Sequence, residues 1–372
     1  MKIIKVHLDG KTYPVFIGDS IFPNILNEIR NMNLNKNIFA VVDGNVNAFY
    51  EKEIKKVFSS YRGKLFSYTL KPGEKSKSSE ELTKIYNSLL TNNFVRDSLI
   101  VAIGGGVTGD LAGYAASTFL RGVQLVHVPT TIISAVDSSI GGKTGINFNS
   151  KKNMIGSFYQ PDFVLIDTSF LKTLPSKEIT SGIGEVIKYA FISDLNFYDY
   201  IKKNINKIYH LDKKVLEKII IQSVALKGSV VGKDEKEKGL RKILNLGHTF
   251  AHAFESAFNF RIMHGEAVIA GTIAALYLSN KVGVLSKHKL NEFLELPLKI
   301  KLPVPFAGLD KEEILKVMQS DKKVRGGKIK FVLISDIGNI LLDVEADKRD
   351  IFYALQKTEE ILFIENKNVH NE

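Results

Sequence analysis

The sequence predicts an α/β protein of two domains, a mostly parallel sheet with helices in the N-terminal domain and mainly helices in the C-terminal domain. In the first third of the chain, short β-branched runs alternate with helical periods, which is typical of a parallel α/β sheet. After residue 167 the pattern becomes helical almost throughout. A length of 372 residues with 44% apolar content is sufficient for two cores.

The N-terminal elements follow from strand patterns and turn signals. Residues 3–8 and 13–17 predict a hairpin around Asp9-Gly10. Further strands are predicted at 37–43, 64–70, 98–103, 124–128 and 163–167, with helices at 45–58, 79–92 and 111–117. We expect the strands after the hairpin to run parallel, because helical segments connect them.

The C-terminal elements follow from apolar residues at helical spacing. Helices are predicted at 179–192, 197–208, 214–231, 249–258, 265–281, 286–293, 311–318 and 348–362, with a hairpin at 328–334 and 339–343. We place the domains at 1–172 and 173–364. Residues 365–372 are expected to be a polar tail without regular structure.

Composition restricts the class of protein. The formal charge is +11, from 51 basic and 40 acidic residues, and the excess Lys is scattered, which favours an anionic small molecule over a nucleic acid. No apolar run is long enough to span a bilayer, and residues 1–6 lack the apolar core of a signal peptide. The absence of Cys excludes thiolate metal ligands. We therefore expect a cytoplasmic protein without membrane or nucleic-acid partners.

A glycine-rich turn follows the strand at 98–103. The run Gly104 to Asp110, GGGVTGD, contains G-x-G-x-x-G and opens a helix of small residues, so it predicts either a Rossmann-like pyrophosphate site or a tight structural turn. The standard fingerprint is incomplete, because no acidic residue ends the next strand. Asp43, at the end of an earlier strand, is the alternative ribose ligand.

Residues 130–153 read as a long loop rich in Ser, Gly and Lys. Its Gly-Lys-Thr sequence at 142–144 imitates a P-loop, but Asp137 stands where the first glycine is needed, and we reject that interpretation. The segment is either a flexible surface loop or a functional loop. In the second case Asp137, Lys143, Lys152 and Asn153 are candidate substrate contacts.

Three histidines gather in one stretch. His248 and His252 are four residues apart in a helical pattern, and His264 opens the next helix, which predicts a zinc site or a capped helix pair with structural histidines. Glu185 is the best-placed carboxylate ligand. It is also three residues from Lys188, so a simple ion pair is the alternative.

Several blocks together resemble the 3-dehydroquinate synthase family. They occur in the family's order and cover about residues 70 to 270: IGGGVTGDLAGYAAS, FLRGV, VPTTIISAVDSSIGGKTGIN, KNMIGSFYQP, GIGEVIKYA, KDEKEKGLRKILNLGHTFAHAFE and HGEAV. The resemblance implies a dehydroquinate synthase-like fold, with a nucleotide-binding N-terminal domain and a metal-binding C-terminal domain.

The implied reaction converts 3-deoxy-D-arabino-heptulosonate 7-phosphate, a phosphorylated keto-sugar acid, into 3-dehydroquinate and phosphate. Bound NAD oxidises a hydroxyl transiently and is returned unchanged, and a divalent metal, zinc or cobalt, assists. This is a lyase step of the shikimate pathway. The resemblance also implies a homodimer with Arg121 reaching the neighbouring subunit's site.

Carried over by position, the resemblance implies Glu185, His248 and His264 as metal ligands and moves His252 to the substrate. The other implied substrate contacts are Asp137, Lys188 and Asn245 at the hydroxyls, Lys143, Lys152, Asn153, Arg121 and one of Lys322 or Lys323 at phosphate, and Lys227 and Arg241 at the carboxylate. The implied NAD contacts are Asp43, Glu74, Lys77, Gly105, Gly106, Val107, Asp110, Thr130, Thr131, Asp137, Ser138, Lys143, Lys152, Thr173 and Glu178.

Each assignment has a structural alternative. Asp110 suits a helix N-terminus, Thr173 and Glu178 flank a helix start, and the Lys322-Lys323 pair lies in a charged stretch typical of a solvated face. Rival functions are a sister sugar phosphate cyclase of the inosose or valiolone type, a metal-dependent polyol dehydrogenase, and a non-catalytic basic binding protein. Arg241 and Lys227 favour a carboxylate-bearing substrate.

Overall fold

One seven-stranded sheet organises the N-terminal part of the protein in this computed structural model. The structure describes residues 1–34, 37–149, 151–302, 306, 308, 310–320 and 329–369. The strands in this part are β1 (Lys2–Leu8), β2 (Lys11–Gly18), β3 (Asn37–Asp43), β4 (Lys64–Leu70), β5 (Leu99–Gly104), β6 (Gln124–Pro129), β7 (Lys143–Phe148), β8 (Lys151–Phe158) and β9 (Phe163–Asp167). The sheet has the order β1-β2-β9-β6-β5-β3-β4, and β1 pairs antiparallel with β2 while the other pairs are parallel.

Burial on both faces explains the apolar runs of the parallel strands. All six residues of β5 are buried. Along β3, Ala40 and Val42 face one core while Phe39 and Val41 face the other, as the two-residue period of a strand requires.

The helices are α1 (Ile25–Asn31), α2 (Gly44–Ser59), α3 (Ser79–Thr91), α4 (Gly106–Thr118), α5 (Ser176–Ile192), α6 (Leu195–Tyr209), α7 (Lys213–Lys233), α8 (His248–Ala257), α9 (His264–Lys281), α10 (Lys287–Leu298), α11 (Lys311–Ser320) and α12 (Lys348–Val369). A second hairpin consists of β10 (Lys330–Asp336) and β11 (Asn339–Glu345). No helix among the described residues is both long and apolar enough to cross a membrane.

The chain forms two compact units. The first unit contains Met1–Pro175 and Leu211–Lys236, and the second contains Ser176–His210 and Glu237–Glu372. Helix α7 therefore belongs to the first unit, although in the sequence it stands between α6 and α8, which belong to the second. The predicted architecture of a mostly parallel α/β sheet and a mainly helical part is confirmed, but the predicted boundary at 172/173 did not include this return of the chain.

Three local predictions differ from the structure. Residues 143–148 and 151–153 of the expected long loop belong to the antiparallel pair β7 and β8, because Thr144 and Ile146 are β-branched residues that the strand buries. Helix α4 begins at Gly106 rather than at residue 111, so the glycines form its first turn. Helix α12 continues to Val369, into the expected tail, because its Glu and Lys residues are good helix formers.

Candidate active site

A glycine turn leaves mainly backbone at the start of α4. A Cβ on Gly104 would lie 2.5 Å from Thr108 Oγ1, and a Cβ on Gly106 would lie 3.3 Å from Ser138 Oγ. Gly105 is the N-cap of the helix and has no side chain to cover its N–H groups. The first turn of α4 therefore offers N–H donors and the positive end of a helix dipole, as an anion requires.

Two threonines that were predicted to contact NAD lie beside this turn. The Thr130 backbone N–H donates to the carbonyl oxygen of Gly104 at 3.0 Å. Thr131 Oγ1 lies 2.8 Å from Ser134 Oγ. A Cβ on Gly105 would lie 3.1 Å from the methyl group of Thr131. Half-buried Val107 and Ser138 complete the surroundings of the turn.

Lys77 connects predicted cofactor residues to the β7 and β8 hairpin. Its ammonium group contacts the carboxylate of Asp110 and the side-chain oxygen of Asn153. Asn147, on β7, donates from its side chain to Glu74 and from its backbone to the Lys77 carbonyl, each at 2.8 Å. Burial raises the pKa of the Asp110 carboxyl, although Lys77 opposes that shift. Asp110 is thus a counter-ion for Lys77 and does not cap α4.

A second partly buried ion pair joins Asp137 and Lys227. Asp137 lies in a single π-helical turn, Ser134–Ser138, and Lys227 lies on α7. Lys227 Nζ donates to Asp137 Oδ1 at 2.7 Å and to the Asp137 carbonyl oxygen at 2.9 Å. The two residues had been assigned to different parts of the substrate, and the structure brings them together.

The other predicted cofactor and substrate contacts of the first unit lie on several different elements. Asp43 caps α2 by accepting from the Asn45 N–H at 2.9 Å, and burial raises the pKa of its carboxyl. Thr173 donates to the Tyr50 hydroxyl at 3.2 Å rather than capping a helix. The remaining positions are exposed Lys143 at the start of β7, half-buried Lys152 on β8, and exposed Arg121 with a φ of 68° after α4. Lys322 and Lys323 lie outside the described residues.

In the second unit, glycines let three helices approach at backbone distance. A Cβ on Gly184 of α5 would lie 2.1 Å from the carbonyl oxygen of Gly265 on α9. A Cβ on Gly271 of α9 would lie 2.3 Å from the carbonyl oxygen of Gly247, the N-cap of α8. This packing brings Glu185 of α5 to the first residues of α8 and α9, which are His248 and His264.

The side chains of Glu185, His248 and His264 converge. Glu185 Oε1 lies 3.5 Å from His248 Nε2 and 3.3 Å from His264 Nε2. Donors about 2.1 Å from one tetrahedral zinc ion are about 3.4 Å apart, so both distances fit a shared divalent cation. One ligand atom from each of the three residues lies within 4.8 Å of the others. Among the described residues, this is the group whose chemistry and spacing suit zinc or cobalt.

His252 lies close to this group but outside it. Its ring centroid is 5.7 Å from that of His248 and 6.3 Å from that of His264, and the residue is exposed. The pair expected from spacing alone does leave one side of α8. The structure groups Glu185 with His248 and His264 instead.

Burial and neighbouring charges shift the pKa values of all three residues of the cluster. Burial opposes the ionisation of Glu185, but Lys188 and the two imidazoles outweigh it and hold its pKa well below the usual range. Burial and the charge of Lys188 lower the pKa of His248 to about 4. Burial also disfavours charge on His264, but hydrogen bonds to Glu185 and Glu255 raise its pKa to about 10. Without a cation the cluster therefore holds one proton on His264.

Three more predicted substrate residues belong to the second unit. Lys188, 1% exposed, forms an ion pair with Glu185, so the ion-pair alternative and the donor cluster coexist. Arg241, also 1% exposed, lies in a short 3₁₀ helix, Leu240–Asn245. Asn245 donates to Glu237 at 2.5 Å. Glu178, a predicted NAD contact, also belongs to this unit and is half-buried in the first turn of α5.

Two residues of these clusters were missed from the sequence. Asn147 was hidden inside the expected loop. Glu255 is buried on α8 and its Oε2 lies 3.3 Å from His264 Nδ1. Its spacing of seven residues from His248 places both on one helix face, and that signal could have found it.

Comparison with known proteins identifies the family. A sequence model of the 3-dehydroquinate synthase N-terminal domain matches residues 67–181, and one of the C-terminal domain matches residues 182–324. The chain is 40% identical to 3-dehydroquinate synthase of Ruminiclostridium cellulolyticum over 90% of this chain and 93% of the relative. The chain belongs to the 3-dehydroquinate synthase family. The resemblance inferred from its motifs is confirmed.

The fold of this protein is similar to that of solved sugar phosphate cyclases. A crystal structure of 2-deoxy-scyllo-inosose synthase complexed with carbaglucose-6-phosphate, NAD+ and Co2+ has a TM-score of 0.87 at 25% identity, covering 96% of this chain and 99% of that one. The structure of 2-epi-5-epi-valiolone synthase from Streptomyces hygroscopicus with NAD+ and Zn2+ bound has a TM-score of 0.87 at 24% identity, covering 95% and 98%. The predicted fold class is confirmed by both.

Proposed function

We propose that this protein is a 3-dehydroquinate synthase that converts 3-deoxy-D-arabino-heptulosonate 7-phosphate into 3-dehydroquinate and phosphate, with NAD and a divalent metal. The observation that carries the proposal is the buried group Glu185, His248 and His264, inside a chain that matches the family's domains. The reaction eliminates phosphate and is redox-neutral overall, so the enzyme is a lyase. A cytoplasmic homodimer of the shikimate pathway is the corresponding setting.

The second unit's residues suit metal binding. Glu185 stays ionised because its pKa is held low, and His248 is neutral above about pH 4, so each offers a lone pair. A bound zinc or cobalt ion would supply Lewis-acid chemistry that lowers the pKa of a substrate hydroxyl. Lys188 neutralises part of the carboxylate charge and, as a buried ammonium group, can donate a hydrogen bond to that hydroxyl.

The first unit's residues suit NAD. The N–H groups at Gly105 and Gly106 would receive the pyrophosphate, and Thr130, Thr131, Val107 and Ser138 surround them. Bound NAD supplies a transient hydride acceptor. Lys77 and Asp110 hold each other beside the turn, and Glu74 and Asn147 fix the nearby hairpin. Asp43, Thr173 and Glu178 remain proposed contacts of the nucleoside.

Substrate groups are assigned by charge. The positive side chains Lys143, Lys152 and Arg121, the last from a partner subunit, would hold the phosphate together with Asn153 and one of Lys322 or Lys323. Arg241 would take the carboxylate because a guanidinium binds it with two parallel hydrogen bonds. Lys227 would share that carboxylate, and Asp137, Asn245 and His252 would contact hydroxyls. The existing pair of Asp137 and Lys227 keeps both charges compensated before substrate binds.

The distinguishing experiment compares substrates. Purified protein with NAD and Co2+ is given 3-deoxy-D-arabino-heptulosonate 7-phosphate or the sugar phosphates of the inosose and valiolone cyclases, and phosphate release is followed. We expect kcat/KM to favour the carboxylate-bearing substrate by at least about 100-fold, since a substrate without a carboxylate forgoes the charge-assisted hydrogen bonds of the Arg241 guanidinium, worth about 3 kcal/mol. Faster release from a substrate without a carboxylate would assign the protein to a sister cyclase.

A further inference from the structure

Glu255 is a buried carboxylate with no role in the function proposed so far. It lies on α8 and is 3% exposed. Its Oε2 lies 3.3 Å from Nδ1 of His264, while the opposite ring nitrogen of His264, Nε2, lies 3.3 Å from Glu185 Oε1. The imidazole of His264 is therefore held between two carboxylates, with one nitrogen directed to each.

The other imidazole of the cluster has the same arrangement with a different acceptor. His248 Nε2 lies 3.5 Å from Glu185 Oε1, and its Nδ1 lies 3.2 Å from the carbonyl oxygen of Leu246. A backbone carbonyl accepts but cannot donate, so the nitrogen of His248 that faces it carries the hydrogen. The lone pair of His248 is therefore on Nε2, the nitrogen that faces Glu185.

We propose that Glu255 is a positioning residue: when a cation displaces the proton on Nε2 of His264, Glu255 keeps the remaining hydrogen on Nδ1 and so leaves the lone pair on Nε2. An ionised carboxylate also only accepts, so Glu255 Oε2 selects that tautomer and makes Nε2 a stronger donor to a cation. The hydrogen-bond acceptor at Nδ1 of His248 is a neutral carbonyl, whereas the acceptor at Nδ1 of His264 is a negatively charged carboxylate. The two histidines therefore differ in strength as ligands, with His264 the stronger.

Burial makes this role specific. Because Glu255 is removed from water, its charge is weakly screened, and its effect on a neighbouring imidazole is larger than that of an exposed carboxylate. Outer-shell partners of this kind typically change metal affinity by about 10 to 100-fold. The inference rests on the proposed metal-binding function, but it concerns affinity, which can be measured without turnover.

The test measures Zn2+ affinity of the full chain by competition with a chelator, for wild type, Glu255→Gln and Glu266→Gln. Glu266 is the matched control, since it is equally buried at 3% exposure but accepts from the Met263 backbone N–H at 2.9 Å. We expect Glu255→Gln to raise the Zn2+ dissociation constant by at least about 10-fold, and Glu266→Gln to change it less than about threefold. The Co2+ absorption spectrum should keep its shape in Glu255→Gln, because the same three ligands remain.

The outcomes separate the two claims. If wild type binds no Zn2+, the proposed metal site fails. If wild type binds Zn2+ and Glu255→Gln binds it equally well, or if both variants weaken binding alike, the positioning role is overturned. If Glu255→Gln does not fold, Glu255→Asp carries the test, because its shorter side chain withdraws the carboxylate from Nδ1 while the charge remains; unchanged affinity there also overturns the role.

Discussion

His264 shows how single residues set the proton balance of the cluster. Its neighbours Glu185 and Glu255 raise its pKa to about 10 despite burial, while the pKa of His248 falls to about 4. Between these values the cluster carries one proton, on His264. A divalent cation needs the lone pair that this proton occupies, so cation and proton must compete for His264.

Metal binding at pH 8 should therefore release about one proton. Below the raised pKa of His264 the proton must be displaced, so metal affinity should rise with pH until about 10 and then level off. Calorimetric titration of the metal-free protein with Zn2+, in two buffers of different ionisation enthalpy, counts the protons. A titration that releases none at pH 8 would refute this assignment of protonation states.

At the level of helices, the close crossing of α5 and α9 holds the cluster together. The crossing depends on Gly184 and Gly265, because a Cβ on Gly265 would lie 1.7 Å from the carbonyl oxygen of Ser181. A change of side-chain rotamer cannot relieve this overlap, since the atoms of Ser181 that the Cβ would meet are backbone atoms. The separation of α5 and α9 therefore decides whether Glu185 reaches the two imidazoles.

Replacing Gly184 with Ala should separate these helices. We expect a loss of about 3 kcal/mol in the free energy of unfolding, the upper range for overpacking, together with weaker Zn2+ binding. Denaturant unfolding of the metal-free protein and chelator competition measure the two effects. Gly109→Ala is the control, because its Cβ would lie at an ordinary 3.6 Å from the His127 ring and should be neutral or slightly stabilising. Equal stability of both variants would contradict the role of the crossing.

Sequence patterns predicted most elements but not those whose form depends on partners. Strands β3, β5 and β6 were predicted because runs of buried apolar and β-branched residues are distinctive. The hairpin of β7 and β8 was missed, since Gly145 and its polar neighbours suggest a loop until it is seen that the backbones of Gly145 and Gly156 pack against each other. The counter-ion role of Asp110 and the pairing of Asp137 with Lys227 likewise needed the positions of distant elements.

For the whole molecule, the path of the chain is the main feature beyond local patterns. Helix α7 has the helical period expected for it, but the period does not show that it packs on β1 in the first unit. There, a Cβ on Gly228 would lie 3.2 Å from Val6, and a Cβ on Gly232 would lie 2.4 Å from the carbonyl oxygen of His7. The first unit thus needs residues that follow the start of the second.

A fragment of residues 1–175 should therefore not fold cooperatively. Loss of α7 exposes Val6, which is fully buried, and each such side chain contributes about 1.5 to 3 kcal/mol. Circular dichroism during heating compares the fragment with the full chain. A sharp transition in the fragment, close to that of the full chain, would mean that α7 is dispensable for this unit.

The central claim is that this protein is a redox-neutral, phosphate-eliminating cyclase, and one reaction tests it directly. Purified protein, catalytic NAD and Co2+ are mixed with 3-deoxy-D-arabino-heptulosonate 7-phosphate, while phosphate, 3-dehydroquinate and NADH absorbance are recorded together. The account predicts equal amounts of phosphate and 3-dehydroquinate with no accumulating NADH. Accumulating NADH without phosphate would contradict it and assign the protein to the polyol dehydrogenases.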